Sequence, residues 1–381
     1  MTTTTHPATT RTGTDWVGLA REIGETLEAG AAERDRLGEI SNAAFEILRA
    51  TGVTAALVPA EAGGGGASHA EVGRLLRELG KHDGATAVSL SMHMHLVAAQ
   101  VWRHRHGQDA SAFFRKVAVD RALLISTGAS DWVGSNGGAR KVDGGFRVSA
   151  RKAPASGCEV GQLLVTSVRW DDAPAGPRVL HFALPMSAEG VRIERTWDTL
   201  GLRATGSHTV VLEEVFVPDA AVTLDRPADV WHPVWNTILG AAMPLILAAY
   251  TGIADAAVEQ AVAAAQGRSG HHLHQLLGEM LNAHTTAADV IDAMFRDADD
   301  LRFPNTDAFA ARALSRKTVA CDALIATVRL AIEATGGAGY TRSSELERLY
   351  RDVHGCLFHP LPRARQTTFS GRVALGLSPV E

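Results

Sequence analysis

The hydrophobic pattern changes character twice along this chain, and that order limits what it can fold into. From Asp15 to about Val119 the spacing is helical. Leu19, Ile23 and Leu27 recur at one face, Ala43 to Leu48 run to a stop at Gly52, and Val72–Leu76 and Ser89–Leu96 continue the pattern. Gly63–Gly66 reads as a flexible loop. Near Leu123 the pattern shifts to short strands broken by Gly, Asp and Pro: Phe146–Ser149, Gln162–Ser167, Val179–Leu184 and Thr209–Leu212. The strands end near Pro218, and from about Pro233 the chain is helical again in long Ala-rich stretches. The expected class is α+β: a tail over 1–14, a helical domain over 15–122, a β domain over 123–225 and a helical bundle over 226–381.

Composition narrows the partners. The chain has 381 residues, 46% hydrophobic and 21% charged, with a formal net charge of −5. That suits a globular core and gives no reason to expect nucleic acid or an anionic membrane. Only five of the 37 basic residues are lysines. Cys158, Cys321 and Cys356 are widely spaced, which suits a reducing cytoplasm and offers no disulfide framework. Met1–Thr14 is Thr-rich without an apolar core, so no signal peptide is expected there. No stretch reads as a membrane span.

Four segments resemble one family in order and at its spacing. Ser126-Thr127-Gly128-Ala129-Ser130-Asp131 resembles the T-E-P-x-A-G-S-D loop of the acyl-CoA dehydrogenase superfamily, shortened by about two residues. Trp197–Ser207, followed by Val215-Phe216-Val217-Pro218, resembles its G-x-R-x-(S/T) strand and V-x-V-P end. Ala334–Tyr340 resembles its G-G-x-G-Y turn, and Leu346–Asp352 its L-E-R-x-Y-R-D helix. The resemblance implies a helical N-terminal domain, a central β-barrel and a C-terminal four-helix bundle. It also implies a flavin between barrel and bundle, FAD with FMN as the alternative, in a homotetramer or dimer.

By that resemblance Ser126, Thr127 and Ser130 bond the edge of the flavin ring. Lys152–Gly157 matches K-x-W-I-(S/T)-N, with Pro154 in place of the tryptophan and Ser156 keeping a hydroxyl for flavin N5. Gly336, Gly337 and Gly339 would let backbone approach the cofactor's pyrophosphate, since glycine has no Cβ. The family's R-x-x-F-G grip has no full counterpart. Gly267-Arg268-Ser269-Gly270 offers only Arg268, which favours a loosely held flavin.

The chemistry is less conserved than the frame. Dehydrogenation of an acyl thioester needs a base for the α-proton. In the family it is a carboxylate eight residues after the arginine of Y-R-D, or one on the first long bundle helix. Here those places hold His359 and the pair Ala242 and Met243, and no acid occurs from Val230 to Ala254 or from Val353 to Val380. A histidine at Arg351 + 8 resembles the two-component flavin monooxygenases of the superfamily. They take reduced flavin from a partner reductase and react through a C4a-hydroperoxyflavin. His359 would then take a proton from a phenol- or indole-like substrate or orient the peroxide, and Ser156 would help retain it. His93 and His95, two apart on one helix, are further candidates, of which at most one can face the pocket. His271, His272 and His274 read as a loop without acid or cysteine at ligand spacing, so no metal is expected. Two other readings stay open: an acyl-CoA dehydrogenase with a base elsewhere, and a flavin-binding relative without catalysis.

Overall fold

The computed structural model describes residues 13–381; of the expected tail, only Gly13 and Thr14 fall within them. Five helices come first: α1 Trp16–Leu37, α2 Asn42–Ala50, α3 His69–His82, α4 Gly84–Arg105 and α5 Ser111–Ala118. A capping box starts α3. Ser68 Oγ accepts from the Glu71 N–H, and the Glu71 carboxylate accepts from the Ser68 N–H at 2.8 Å. Asp83 starts α4 by accepting from the Thr86 N–H, and pairs with Arg34 at 2.7 Å. Most of α4 is buried on every side, so it is a central helix around which its neighbours pack.

The Gly63–Gly66 segment is packed, contrary to the expectation of a flexible loop. Gly65 N–H donates to Ala55 O, Gly66 N–H donates to Val58 O, and a Cβ on Gly64 would lie 2.3 Å from Val58 O. The glycines serve close backbone approach there.

Eight strands follow: β1 Leu124–Ser126, β2 Gly138–Val142, β3 Gly145–Lys152, β4 Leu163–Trp170, β5 Arg178–Pro185, β6 Val191–Glu194, β7 Thr209–Pro218 and β8 Val222–Pro227. They form one sheet in the order β6-β7-β3-β2-β4-β5-β8, with β1 parallel to β4. The expected barrel is open. Its end strands β6 and β8 are not paired, and β2 meets β4 through a single register pair, Gly138 with Arg169. The two halves still enclose one apolar core: Val148, Val210 and Leu212 come from one, Leu164, Val168 and Phe182 from the other.

The rest is helical: α6 Val234–Ala265, α7 His271–Ala298, α8 Asp307–Thr335, α9 Glu345–Val353 and α10 Arg363–Ala374. His271, His272 and His274 open α7 rather than lie in a loop. Among the described residues no group of three metal-ligating side chains occurs. By length and composition α6 could cross a membrane, against the sequence expectation, but 94% of its apolar window is buried in the bundle. Small residues allow this packing. A Cβ on Gly252 would sit 2.0 Å from Arg77 O, and one on Gly80 would sit 2.4 Å from Ala249 O, so α3 and α6 cross nearly backbone to backbone.

Candidate active site

A cavity of about 700 Å³ opens between the sheet, α4, α6 and the segment from Phe358 to Arg365. Cofactor and ligand sites fall at roughly 300–1,000 Å³, so the space is large enough for a cofactor or a sizeable ligand.

The sheet supplies one wall. Ser126, Thr127, Ser130 and Ser156 all line it. The loop after β1 is held from behind by a buried ion pair. Lys152 Nζ donates to Asp131 Oδ2 at 2.9 Å and to Asn136 O at 2.9 Å, and both side chains are out of solvent. Thr127 Oγ1 donates to the same carboxylate at 3.1 Å, and Asn136 N–H donates to its other oxygen. Such a network fixes a loop because each of its members would be costly to leave unpaired. Ser207 Oγ donates to Ser156 Oγ at 2.8 Å, so the Ser156 proton stays free for the cavity.

The helices supply the opposite wall. His359 lies here, with Ala242 and Met243 of α6 and His95 of α4. Its partner is Tyr250 of α6: the phenol oxygen and His359 Nε2 are 2.8 Å apart. Tyr250 is fully buried, and its hydroxyl packs where a Cβ on Gly355 would come within 2.7 Å. Among the described residues the phenol has no other acceptor, so the satisfied arrangement has Tyr250 donating to Nε2. His359 then carries its proton on Nδ1. Burial, then the Lys317 charge, hold its pKa down at about 3, so it is neutral over the working range. The expectation of a strong proton acceptor therefore changes. As placed, His359 is a neutral hydrogen-bond donor through Nδ1.

His95 is also held neutral, by burial, with a pKa of about 4, and among the described residues its buried Nδ1 has no hydrogen-bond partner. His93 does not line the cavity. Its Nε2 meets Thr54 O at 2.8 Å and its Nδ1 accepts from the Leu124 N–H at 3.0 Å, which ties α4 to β1. With both nitrogens engaged, a catalytic His93 is not carried forward. Arg268, Gly336, Gly337 and Gly339 form a second group outside the cavity lining. Arg268 Nη1 donates to Ala334 O at 3.2 Å, beside the glycine turn that ends α8.

Sequence reasoning missed Tyr250, although it is one of only three tyrosines and the one phenol on an apolar helix. It also missed that Asp131 is the single carboxylate on the cavity wall among the described residues, and that Lys152 neutralises it.

Comparison with known proteins agrees with this geometry. Residues 19–114 match the family described as acyl-CoA dehydrogenase, N-terminal domain, and residues 233–356 match acyl-CoA dehydrogenase, C-terminal domain. A putative acyl-CoA dehydrogenase, YdbM of Bacillus subtilis, is 29% identical over 91% of this chain and 92% of its own. The amino sugar nitrososynthase DnmZ of Streptomyces peucetius is 27% identical over 92% and 90%. The solved structure of KijD3 with FMN and a dTDP-linked 3-amino-4-keto sugar superposes with a TM-score of 0.86. It is 25% identical, covering 96% of this chain and 95% of that one. Flavin-dependent monooxygenases stand among the further relatives. This chain therefore belongs to the acyl-CoA dehydrogenase family and is an enzyme of its flavin-dependent oxidoreductase class.

Proposed function

We propose that this enzyme is a flavin-dependent monooxygenase, using FMN that a separate reductase delivers in reduced form. Reduced flavin supplies two electrons, one oxygen atom of O₂ enters the substrate and the other leaves as water. The observation that carries this reading is that, among the described residues, the cavity holds no free carboxylate. Asp131 is locked to Lys152, and both family positions for a dehydrogenase base hold groups ill suited to taking an α-proton: Ala242 with Met243, and a histidine whose Nε2 is occupied by Tyr250 and whose basicity burial lowers.

The chain's own groups fit oxygen transfer. Ser126, Thr127 and Ser156 would hold the flavin edge, with Ser130 on the same loop as Ser126 and Thr127. The Ser156 hydroxyl is free to donate toward it, and Tyr250 keeps the proton of His359 on Nδ1. That N–H would orient the oxygen to be transferred. Aromatic and aliphatic side chains, among them Trp132, Trp235 and Ile246, exclude water from the reacting centre. The acceptor would be a small phenol- or indole-like molecule or, as the names of DnmZ and KijD3's ligand support, an amine nitrogen on a sugar. A homo-oligomer would bring the Arg268 and Gly336 turn of one copy to a neighbour's cofactor.

The experiment supplies reduced FMN and O₂ with a panel of indoles, phenols and amino-sugar nucleotides. Product formation is expected, and is expected to fall by about 10²-fold in His359→Ala. Unchanged turnover in that variant would remove His359 from the mechanism. The dehydrogenase reading, which the name of YdbM supports, predicts instead that an acyl-CoA reduces the bound flavin without O₂.

A further inference from the structure

The sheet-side end of the cavity holds two histidines whose tautomers are fixed in opposite senses. Arg226 Nε donates to His181 Nε2 at 2.9 Å. A guanidinium has no acceptor, so the His181 proton must sit on Nδ1. The Val234 N–H donates to His232 Nδ1 at 3.2 Å, so the His232 proton must sit on Nε2. Both rings line the cavity, and among the described residues neither N–H has a partner. Burial keeps both neutral, helped by the Arg226 charge.

Arg226 is itself buried and pinned. Its other nitrogens donate to Val133 O, Pro227 O and Asp131 O, and its guanidinium lies 5.4 Å from the centre of the Trp235 ring. Among the described residues no carboxylate lies within 4 Å of it. Its charge is offset only at longer range, by Asp131 and Asp229, and reaches the cavity through the polarised His181 ring. Ser130 adds a cavity-lining hydroxyl from the loop that Arg226 also holds. Of its two nearby acids, Asp131 turns its carboxylate to Lys152, Thr127 and Asn136, and Asp229 pairs with Arg169.

We propose that His181, His232 and Ser130 form a phosphate subsite, in which neutral N–H and O–H donors backed by the Arg226 charge hold the oxygens of a phosphate ester. The proposal rests on the flavin reading above and deepens it. Two molecules could bring that group: FMN through its 5′-phosphate, or a nucleotide-linked substrate through its diphosphate. Neutral donors suit an anion that must also be released, because no tight ion pair has to break.

The test is equilibrium binding of oxidised FMN, riboflavin and thymidine diphosphate to the full-length protein and to His181→Phe, His232→Phe and Ser130→Ala. Phenylalanine keeps a ring and removes the N–H; His181→Gln restores a donor. If the flavin phosphate sits here, FMN binding weakens about tenfold in His181→Phe, riboflavin binding holds, and His181→Gln recovers part of the loss. If the substrate phosphate sits here, only thymidine diphosphate loses affinity. The subsite is overturned if all three ligands bind the variants as they bind wild type, or if riboflavin weakens as much as FMN, which marks a structural role. Failure of the wild-type protein to bind any flavin would overturn the flavin reading itself, a result distinct from unchanged variants.

Discussion

The two walls of the cavity are built on opposite plans. On the sheet side the polar groups are held by networks: Asp131 by Lys152, Thr127 and Asn136, Ser156 by Ser207, His181 by Arg226. On the helix side the two histidines at the cavity are sparsely bonded. His359 has Tyr250, and among the described residues His95 Nδ1 has no hydrogen-bond partner. A wall of satisfied networks keeps its shape and suits holding a cofactor. A wall of isolated neutral donors keeps unspent hydrogen-bonding capacity and suits the reacting atoms.

The comparison breaks most sharply if the helix wall is not where chemistry occurs. Tyr250→Phe removes the hydroxyl that fixes the His359 tautomer, while the ring still fills its place. Product formation with reduced FMN and O₂ should drop about 10²-fold, with flavin affinity retained. Equal losses of flavin affinity and turnover would move Tyr250 to a structural role.

The sheet wall should answer through stability. Lys152→Met leaves the Asp131 carboxylate buried without its cation, and should cost about 3–5 kcal/mol in denaturant unfolding. A cost under 1 kcal/mol would show that the network does not hold the loop. Away from both walls, Gly252→Ala puts a methyl against Arg77 O and should cost about 1–3 kcal/mol by forcing α3 and α6 apart. Neutral behaviour there would refute the close helix crossing.

One effect is graded by pH rather than set by a single substitution. Burial lowers His69, His93 and His95 to a pKa of about 4. Each stays neutral in the folded chain and takes up a proton on unfolding below about pH 6.5. Their contribution is complete above that pH and is lost as pH falls toward 4, about 2 kcal/mol per histidine at pH 5. Thermal midpoints measured from pH 7 to pH 4.5 should fall accordingly, and a flat profile would contradict the burial of these rings.

The frame was legible because it rests on local patterns. Helical spacing at Leu19, Ile23 and Leu27, strand runs such as Val179–Leu184, and the four family-like segments each carry their signal within a few residues. The open edge of the sheet was not legible, because it depends on whether the end strands β6 and β8 meet. Site residues divide the same way. The loop from Ser126 to Ser130, Ser156 and His359 share one cavity and came from motifs. Tyr250 meets His359 across 109 positions, and Arg226 meets His181 across 45, so no spacing rule reveals either pair. His93 misled because two histidines on one helix look alike until their partners are known. One bonds a carbonyl and an N–H behind the cavity, and the other faces it.

The most direct test of oxygen transfer at the helix wall follows the fate of labelled O₂. Reduced FMN on the protein is mixed with ¹⁸O₂ and the panel of indoles, phenols and amino-sugar nucleotides, and both hydrogen peroxide and labelled product are measured. The account predicts that at least one compound diverts oxygen from peroxide into a product carrying one ¹⁸O atom, and that Tyr250→Phe returns the oxygen to peroxide. Peroxide as the sole product with every compound, together with anaerobic reduction of the bound flavin by an acyl-CoA, would contradict it.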